Sequence, residues 1–336
     1  MDKKNDQFSG TQAPGGEPAI ADRAAFTPEE MVGCTKCGRT NPPNRLRCFY
    51  CAAELEQQQA ESIQPVLRKL EGWEKGYNVI YQPGVSIPGR EAVTAIAKTL
   101  SLDAEAATEI LRSARPLPLA RVEGEKEAAF VEETLRAHGV DSSIVTDRSM
   151  AEEIPPKRLR AIEFADDSMR LTLFNTNESI TVRSENLALI VAGAVFEKKT
   201  EVIEKRKKGS SKTLDEFETA SDDMLIDIYT STDPAGWRIP TNGFDFSCLG
   251  SEKGMLAVQN MRRLLERLAS FAPNSRVVDS YLADRNLLSH VWQIEERKDF
   301  SGLQRSGFGK VDFGKVSTSN NLGQFTKYSR FQWQLL

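Results

Sequence analysis

The sequence predicts a multidomain protein of the mixed α+β class, and three observations support this. The chain has 336 residues, which at about 100–200 residues per domain corresponds to two or three domains. Four of its five cysteines lie between Cys34 and Cys51, which marks a small cysteine module. Helix-like and strand-like patterns alternate from about 76 to 147, whereas strand-like segments dominate the half that follows. We therefore expect a cysteine module, a small α/β domain and a larger strand-rich domain.

Changes in composition mark the boundaries between these predicted units. The N-terminal stretch is polar and rich in glycine, proline and alanine, so it cannot bury enough surface to offset chain entropy. A glutamine-rich run follows the cysteines, and a Glu-Glu-Ile-Pro-Pro stretch begins at Glu152. The predicted units are a disordered tail (1–30), the cysteine module (31–55), a helical linker (56–75), a small α/β domain (76–147) and an α+β domain (155–336) with a mobile charged loop near 197–223.

The composition argues against several classes of protein. A formal net charge of −4 argues against a protein that binds nucleic acid over its whole surface. The chain has two histidines, His138 and His290, which leaves little material for histidine-based catalysis. The N-terminus lacks the apolar core of a secretory signal, and the longest apolar run, Leu187–Phe196, has about half the ~20 residues of a membrane-spanning helix. We expect a cytoplasmic, bacterial protein without a membrane span.

The clustered cysteines form two Cys-x-x-Cys pairs. Cys34 and Cys37 make the first pair, Cys48 and Cys51 make the second, and ten residues separate the pairs. In a reducing compartment this spacing indicates metal ligands before disulfides. Each pair is expected on a tight turn whose backbone amides point at the sulfurs, and four thiolates suit one tetrahedral Zn²⁺. Four protein ligands leave no open position, so the predicted zinc is structural and not catalytic.

These residues carry a resemblance to a known module. The segment from Cys34 to Leu55 resembles the short zinc ribbon found at the ends of bacterial and archaeal proteins. Gly38 and Leu55 match the pattern of that module, whereas Ala52 stands where a glycine is usual. A redox pair or a chance cluster is the alternative, but a cytosolic redox motif needs a single Cys-x-x-Cys on a βαβ scaffold.

Basic and aromatic residues accompany the cysteines. No acidic residue lies between Cys34 and Cys51, and Phe49 and Tyr50 stand in the second pair. Basic side chains beside aromatic rings can hold phosphate and stack bases, but they can also simply offset a dianionic zinc–tetrathiolate. A second basic run is interleaved with glutamates, which favours a solvated hairpin loop over an anion-binding site. The candidate nucleic-acid or anion contacts are Lys36, Arg39, Arg45 and Arg47 in the ribbon, and Lys205, Arg206, Lys207 and Lys208 in the second run.

The segment 76–147 has the predicted order β-α-α-β-α-β. Asn78–Tyr81 and Ser143–Thr146 are strand-like, and Pro116–Val122 is extended because its prolines exclude a helix. Three intervening stretches repeat apolar residues at helical spacing, and Gly139 is placed to end the third helix.

Residues 77–146 resemble the C-terminal domain of the bacterial ribosomal stalk protein. The match lies in Tyr77-Asn-Val-Ile, in the stretch from Leu102 to Ala114, and in the stretch from Ala129 to Val140. In that family, basic residues on the first two helices dock translation factors. Their positions here are occupied by Thr94, Ala97, Glu105 and Thr108. Because such docking relies on charge complementarity, the resemblance implies the fold without translation-factor binding. A small protein-docking module and a plain scaffold both remain open.

The C-terminal half combines strands with one amphipathic helix, Gly254–Phe271, and this order resembles a pleckstrin-homology-like barrel with its capping helix. The alternation Phe331-Gln-Trp-Gln-Leu335 predicts a half-buried strand. Cys248 has apolar neighbours and is expected in the core rather than as a nucleophile.

The sequence therefore predicts a non-enzymatic zinc-ribbon adaptor or regulatory protein. The metal site is closed, and no catalytic acid and base accompany it, which favours a role in docking a macromolecule. A protein is the expected partner. The first alternative is a nucleic-acid or ribosome-associated factor, because the ribbon is basic. The second alternative is an enzyme whose site lies in the C-terminal half.

Overall fold

A computed structural model describes residues 26–27, 30–55, 67–84, 88–150, 153–207, 210–307 and 310–336, with 203–216 and 300–315 described by their backbone alone. Most of the predicted tail (1–30) and residues 56–66 of the predicted linker lie outside the described residues. The chain divides into two compact units, one that ends at Val66 and one that begins at Leu67. Within the described residues, no helix combines the length and the apolar character needed to cross a membrane.

The first unit contains a two-stranded ribbon. Strand β1 (Val32–Gly33) pairs antiparallel with β2 (Thr40–Asn41), and an isolated bridge joins Arg47 to Glu54. Its core consists of Cys34, Cys48 and Leu55, which are all buried. So few apolar side chains cannot hold a segment of this size together without a further constraint.

The second unit begins with a three-stranded antiparallel sheet covered by helices. Its sheet order is β4-β3-β5, so β3 lies in the centre. Gly139 has a φ of +75° and follows the third helix, which confirms the predicted stop. The order matches the predicted β-α-α-β-α-β. The elements are β3 (Tyr77–Tyr81), α1 (Arg90–Leu100), α2 (Ala104–Arg112), β4 (Leu117–Val122), α3 (Glu125–Ala137) and β5 (Ser142–Thr146).

A large mixed sheet follows in the same unit. In the described residues its strands run in the order β13-β14-β9-β10-β11-β6-β7-β8, with β12 paired to β9 off this path. The strands are β6 (Lys157–Phe164), β7 (Ser168–Leu173), β8 (Ser179–Arg183), β9 (Leu187–Lys207), β10 (Ser210–Thr230), β11 (Trp237–Pro240), β12 (Arg276–Val278), β13 (Glu295–Gly307) and β14 (Lys310–Asn320). The helices are α4 (Ala257–Phe271), α5 (Tyr281–Ser289) and α6 (Leu322–Gln334), with short 3₁₀ helices at Ser184–Asn186 and Phe246–Glu252.

Strand β9 is buried on both faces along its first half. Leu189 and Val191 belong to the core shared with α5 and α6, whereas Ile190 and Ala192 belong to the core shared with α4. A strand that is covered on both faces has apolar residues at successive positions, and this explains the continuous apolar run in the sequence. The strand predicted at Leu187–Phe196 is confirmed as the first part of β9. At Gly193 the rings of Tyr281 and Phe325 pack so close that no side chain could be accommodated.

The predicted mobile loop near 197–223 is wrong. The structure continues β9 and β10 through this region as an antiparallel hairpin, with Lys198 opposite Ala220 and Glu197 opposite Ser221. The residues that can be described here are mostly exposed, and Lys198 pairs with Glu218 across the strands at 3.0 Å. A solvated strand pair carries no apolar alternation, so hydrophobic patterning cannot detect it.

Two further predictions are corrected. The predicted strand Phe331–Leu335 is the C-terminal part of helix α6, in which Tyr328 and Phe331 are buried against the neighbouring elements. The period-2 pattern spans five residues, which is too short to distinguish a strand from a helix. The described part of the predicted helical linker, 67–75, is not helical but irregular, with one turn in which the Glu74 N–H donates to the Glu71 carbonyl. Leu70 anchors it in the core, and Arg68 pairs with Glu74 at 2.8 Å.

The sequence predicts separate α/β and C-terminal domains with a boundary near 148–154. In the structure both lie within the unit from Leu67 to Leu336. Val79 of β3, Trp292 and Phe331 of α6 contribute to one hydrophobic core. The indole Nε1 of Trp292 also donates to Asn78 Oδ1 at 2.7 Å. Such long-range contacts leave no trace in the composition along the chain.

Candidate metal centre

The four clustered cysteines converge on one point in the first unit. Cys34, Cys37, Cys48 and Cys51 have sulfur atoms that all lie within 4.8 Å of one another. The Sγ atoms of Cys34 and Cys51 are 3.6 Å apart, as are those of Cys37 and Cys48. A tetrahedron of sulfurs about 2.3 Å from a central ion has edges of about 3.8 Å. The four thiols could therefore hold a metal ion, as the spacing predicts.

Two equivalent turns place these sulfurs. In the first, the Gly38 N–H donates to the Cys34 carbonyl at 2.8 Å, and in the second the Ala52 N–H donates to the Cys48 carbonyl at 2.9 Å. Both turn residues have positive φ, +71° for Gly38 and +55° for Ala52. Both turns therefore require a residue in the left-handed conformation, but only the first turn has a glycine at that position.

Asn41 ties the two turns together. Its side chain is fully buried; Nδ2 donates to the Arg39 carbonyl at 3.0 Å and to Cys48 Sγ at 3.4 Å. Its Oδ1 accepts from the Phe49 N–H at 2.8 Å. Hydrogen bonds of this kind orient a ligand sulfur and are typical of the surroundings of protein metal sites. Asn41 is part of the segment that resembles a zinc ribbon, but the sequence alone does not predict its hydrogen bond to Cys48 Sγ.

The thiols have sharply different acidities in the absence of an ion. Burial raises the pKa of Cys48, but hydrogen bonds from the Tyr50 and Cys51 amides and from Asn41 outweigh it and lower the pKa to about 6. An N–H of Arg39 lowers the pKa of Cys37, but burial and the three neighbouring sulfurs raise it to about 12. Four thiols this close cannot all ionise unless a cation compensates their charge.

The basic residues of the ribbon surround two exposed rings. The exposed fractions of Phe49 and Tyr50 are 68% and 52%, and their rings meet edge to face. The Arg39 guanidinium lies 4.6 Å from the centre of the Tyr50 ring, and the Arg45 guanidinium lies 4.9 Å from that of Phe49. We call Arg39, Arg45, Phe49 and Tyr50 the arginine–aromatic patch. Lys36 is exposed, and Arg47 lies in the bridge to Glu54.

The second basic run lies in the other unit. Lys205, Arg206 and Lys207 fall near the end of β9, where the backbone pairs with both β10 and β14. Lys208 lies outside the described residues. The two groups of candidate anion contacts therefore belong to different compact units.

Comparison of the chain with protein-family models, with curated proteins and with solved structures finds no match. The site must be interpreted from its own geometry.

Sequence reasoning missed a buried charge network in the second unit. The Asp147 carboxylate is fully buried and accepts hydrogen bonds from the Gly76 N–H at 2.9 Å, from Asn78 Nδ2 at 2.8 Å and from Arg121 Nε at 2.9 Å. Lys327 of α6 approaches its other side, with Nζ 2.6 Å from Oδ1. Lys327 and Asp147 are 180 positions apart in sequence, so no local pattern could have indicated this network.

We expect Ala52→Gly to strengthen metal binding, because glycine removes the penalty of a side chain in the left-handed region. That penalty is about 1 kcal/mol, so the Zn²⁺ dissociation constant should fall about five-fold in a competition titration with a chromophoric chelator. Ala53→Gly is the matched control, since Ala53 has no positive φ. It should leave the affinity unchanged or weaken it. A weaker affinity for Ala52→Gly would contradict this account of the turn.

We expect Asn41→Ala to weaken metal binding by about 10–100-fold in the same titration. The substitution removes the hydrogen bond to Cys48 Sγ and leaves the Phe49 N–H without its acceptor. Asn44→Ala is a control between the cysteine pairs, because Asn44 makes no contact with the sulfurs among the hydrogen bonds of the described ribbon. Equal affinities for the two variants would show that Asn41 does not support the site.

Proposed function

We propose that this chain is a non-enzymatic adaptor whose ribbon, organised by a structural Zn²⁺, docks a protein partner in the cytoplasm. The four cysteines of the candidate metal centre would hold the ion. The observation that carries the proposal is the arginine–aromatic patch, which presents two exposed rings beside a closed Cys₄ site. A reducing cytoplasm would keep the thiols available for the metal.

The composition of the patch supports a protein interface. Aromatic residues and arginine are enriched where protein partners meet and often dominate the binding energy there. The two rings are held by the turn that carries Cys48 and Cys51, so little side-chain and backbone freedom would be lost on docking. Because the patch carries two guanidinium groups, the surface of the partner would carry carboxylates.

The test is affinity capture with the full chain and quantitative mass spectrometry. We expect the natural chain to capture at least one protein that is lost with Phe49→Ser/Tyr50→Ser and also with Cys37→Ser. Phe217→Ser is the matched control, because Phe217 is 60% exposed and lies in the other unit. If every protein captured by the natural chain is also captured by both ribbon variants, the proposal fails.

A nucleic-acid partner is the second candidate, favoured by the basic residues of the ribbon, Lys36 and Arg47 included. Single-strand binding by such a surface weakens with salt, with a logarithmic slope of about −0.7 per phosphate contact. Fluorescence anisotropy with a single-stranded oligonucleotide at low and moderate salt decides between the candidates. Salt-sensitive binding that is lost in the double variant Arg39→Gln/Arg45→Gln would show that the partner of the ribbon is a nucleic acid and not a protein.

We also propose that the second unit contains a ribosomal-stalk-like domain and a pleckstrin-homology-like part. For residues 77–146, the element order from β3 to β5 supports a ribosomal-stalk-like domain and thus a second docking module. For the C-terminal part, strands followed by α4 support a pleckstrin-homology-like interpretation. The four positions that correspond to the docking residues of the stalk family lie on α1 and α2, and none of them is basic. A partner of this module would therefore differ from a translation factor.

A further inference from the structure

Arg330 of α6 is a buried cation with unused hydrogen-bonding groups. Its exposed fraction is 1%, and it is one of the largest fully buried side chains in the described residues. Its Nη2 donates to the Ile154 carbonyl at 2.8 Å, whereas Nε and Nη1 have no hydrogen-bond partner. A buried donor without an acceptor is costly, and a buried charge without a counter-charge is more so.

The carboxylates that act on Arg330 electrostatically, Asp227 and Asp233, are paired with other cations. Lys327 and Arg121 share the carboxylate of Asp147, while Arg238 binds Asp227 through two hydrogen bonds of 2.7 Å. Asp147 and Asp227 are therefore engaged by other cations, and neither carboxylate accepts a hydrogen bond from Arg330.

Tyr229 does not supply the missing negative charge. Its ring centre lies 5.6 Å from the Arg330 guanidinium, and its hydroxyl contacts Ser329 Oγ at 2.7 Å. Burial raises the pKa of the Tyr229 phenol far above neutrality, so it stays protonated. Burial also lowers the pKa of Arg330, but a guanidinium remains charged in proteins.

A cleft lies beside this region, although Arg330 itself is not one of its lining residues. Its volume is about 1090 Å³, and Trp73, Trp292, Arg238 and Lys327 contribute to its lining. Pro155 and Pro156 also line it and directly follow Ile154, whose carbonyl binds Arg330. The segment from Ile154 to Pro156 thus touches both the cleft and the buried guanidinium.

We propose that the cleft binds a small oxyanionic ligand, a carboxylate or phosphate compound, whose anionic group pairs with Arg330. Charge-assisted hydrogen bonds to the unused donors Nε and Nη1 of Arg330 supply both the attraction and the orientation. Since Nε and Nη1 are closed off from solvent, the segment from Ile154 to Pro156 shifts outward as the anionic group enters. The cleft has the volume of a typical small-molecule site. Four glutamates also line the cleft and disfavour a polyanion, so the ligand carries one anionic group; they are Glu71, Glu153, Glu295 and Glu296.

The test is thermal unfolding of the full chain followed by tryptophan fluorescence. The four tryptophans, Trp73, Trp237, Trp292 and Trp333, all lie in the second unit, so the ribbon does not contribute to this signal. The probes are sodium phosphate and sodium acetate, each against sodium chloride at equal ionic strength. Titration calorimetry of the natural chain with the same two anions provides a measurement that does not depend on a variant.

The substitution Arg330→Met tests the proposal most specifically, because it should raise the melting temperature and abolish the response to anions. Without anion, the substitution relieves an uncompensated buried charge, so the melting temperature should rise by about 2–4 °C. The increase in melting temperature that phosphate or acetate gives the natural chain should be lost. Arg285→Met is the matched control, since Arg285 pairs with the exposed Asp222, and it should keep the response. If Arg330→Met does not fold, Arg330→Gln takes its place.

The proposal is overturned if neither anion raises the melting temperature of the natural chain beyond chloride. It is also overturned if Arg330→Met responds to the anions as the natural chain does, since the response would then be a general salt effect. A response to phosphate alone assigns the ligand to phosphate compounds, and a response to acetate alone assigns it to carboxylates. Either result is independent of whether the ribbon docks a partner.

Discussion

Replacing Cys37 by serine is expected to abolish stoichiometric zinc binding and to unfold the ribbon. A structural Zn²⁺ contributes on the order of 10 kcal/mol to the folding of so small a segment, and a serine hydroxyl cannot replace a thiolate ligand. The four buried apolar residues of the ribbon, Cys34, Leu46, Cys48 and Leu55, cannot compensate for that loss. The measurement is metal content by mass spectrometry of the native protein, combined with amide exchange across residues 30–55.

Cys248→Ser is the matched control for this experiment. Cys248 is the fifth cysteine; it lies in the second unit, packs against the core beside α4, and is not part of the Cys₄ cluster. Burial raises the pKa of its thiol, which is the opposite of what a metal ligand needs. Retention of one zinc by Cys37→Ser, or its loss from Cys248→Ser, would show that the wrong cysteines have been assigned.

The second large effect is expected for Asp147→Asn. This carboxylate has no exposed surface and is shared by Arg121 of β4 and Lys327 of α6. Its neutralisation removes the buried carboxylate that Arg121 and Lys327 share, which should lower the free energy of unfolding by about 3–5 kcal/mol. Urea unfolding followed by tryptophan fluorescence measures it. Asp167→Asn, which removes an exposed pair with Arg183, should cost about 0.5 kcal/mol or less.

The same carboxylate should give the protein a characteristic dependence on pH. Burial alone would raise the pKa of Asp147, but Lys327, Asn78 and Arg121 outweigh burial and hold the pKa below its ordinary value. A carboxyl group with a lowered pKa in the folded state stabilises above its unfolded pKa of about 3.9, and the contribution is lost as pH falls through the folded pKa. The natural chain should therefore lose more stability than Asp147→Asn between about pH 5 and pH 3. Parallel curves would contradict this role.

The ribbon was predictable because its determinants are local. Two Cys-x-x-Cys pairs and Gly38 specify two turns within a short segment, and the structure brings all four sulfurs together. The helices and strands from β3 to β5 were predictable for the same reason, since each buries an apolar face with a recognisable period. Helix α5 was missed because its apolar face is short and interrupted by Asp284, which is buried beside Arg115.

The rest could not be predicted because its determinants are distant in sequence. The α/β domain and the C-terminal half form one compact unit through long-range hydrogen bonds, such as those of Trp292 to Asn78 and of Arg115 to Asp284. The long hairpin of β9 and β10 depends on backbone pairing between polar strands, which leaves no hydrophobic signature. Within the ribbon, the sequence pattern includes Asn41, but the three groups that its side chain bonds follow only from the fold.

X-ray absorption at the zinc edge of the purified full chain tests the central claim most directly. A zinc-organised ribbon predicts one Zn²⁺ per chain with four sulfur ligands at about 2.3 Å and no nitrogen or oxygen ligand. A purified chain without zinc, or a zinc spectrum dominated by nitrogen or oxygen ligands, would contradict the account.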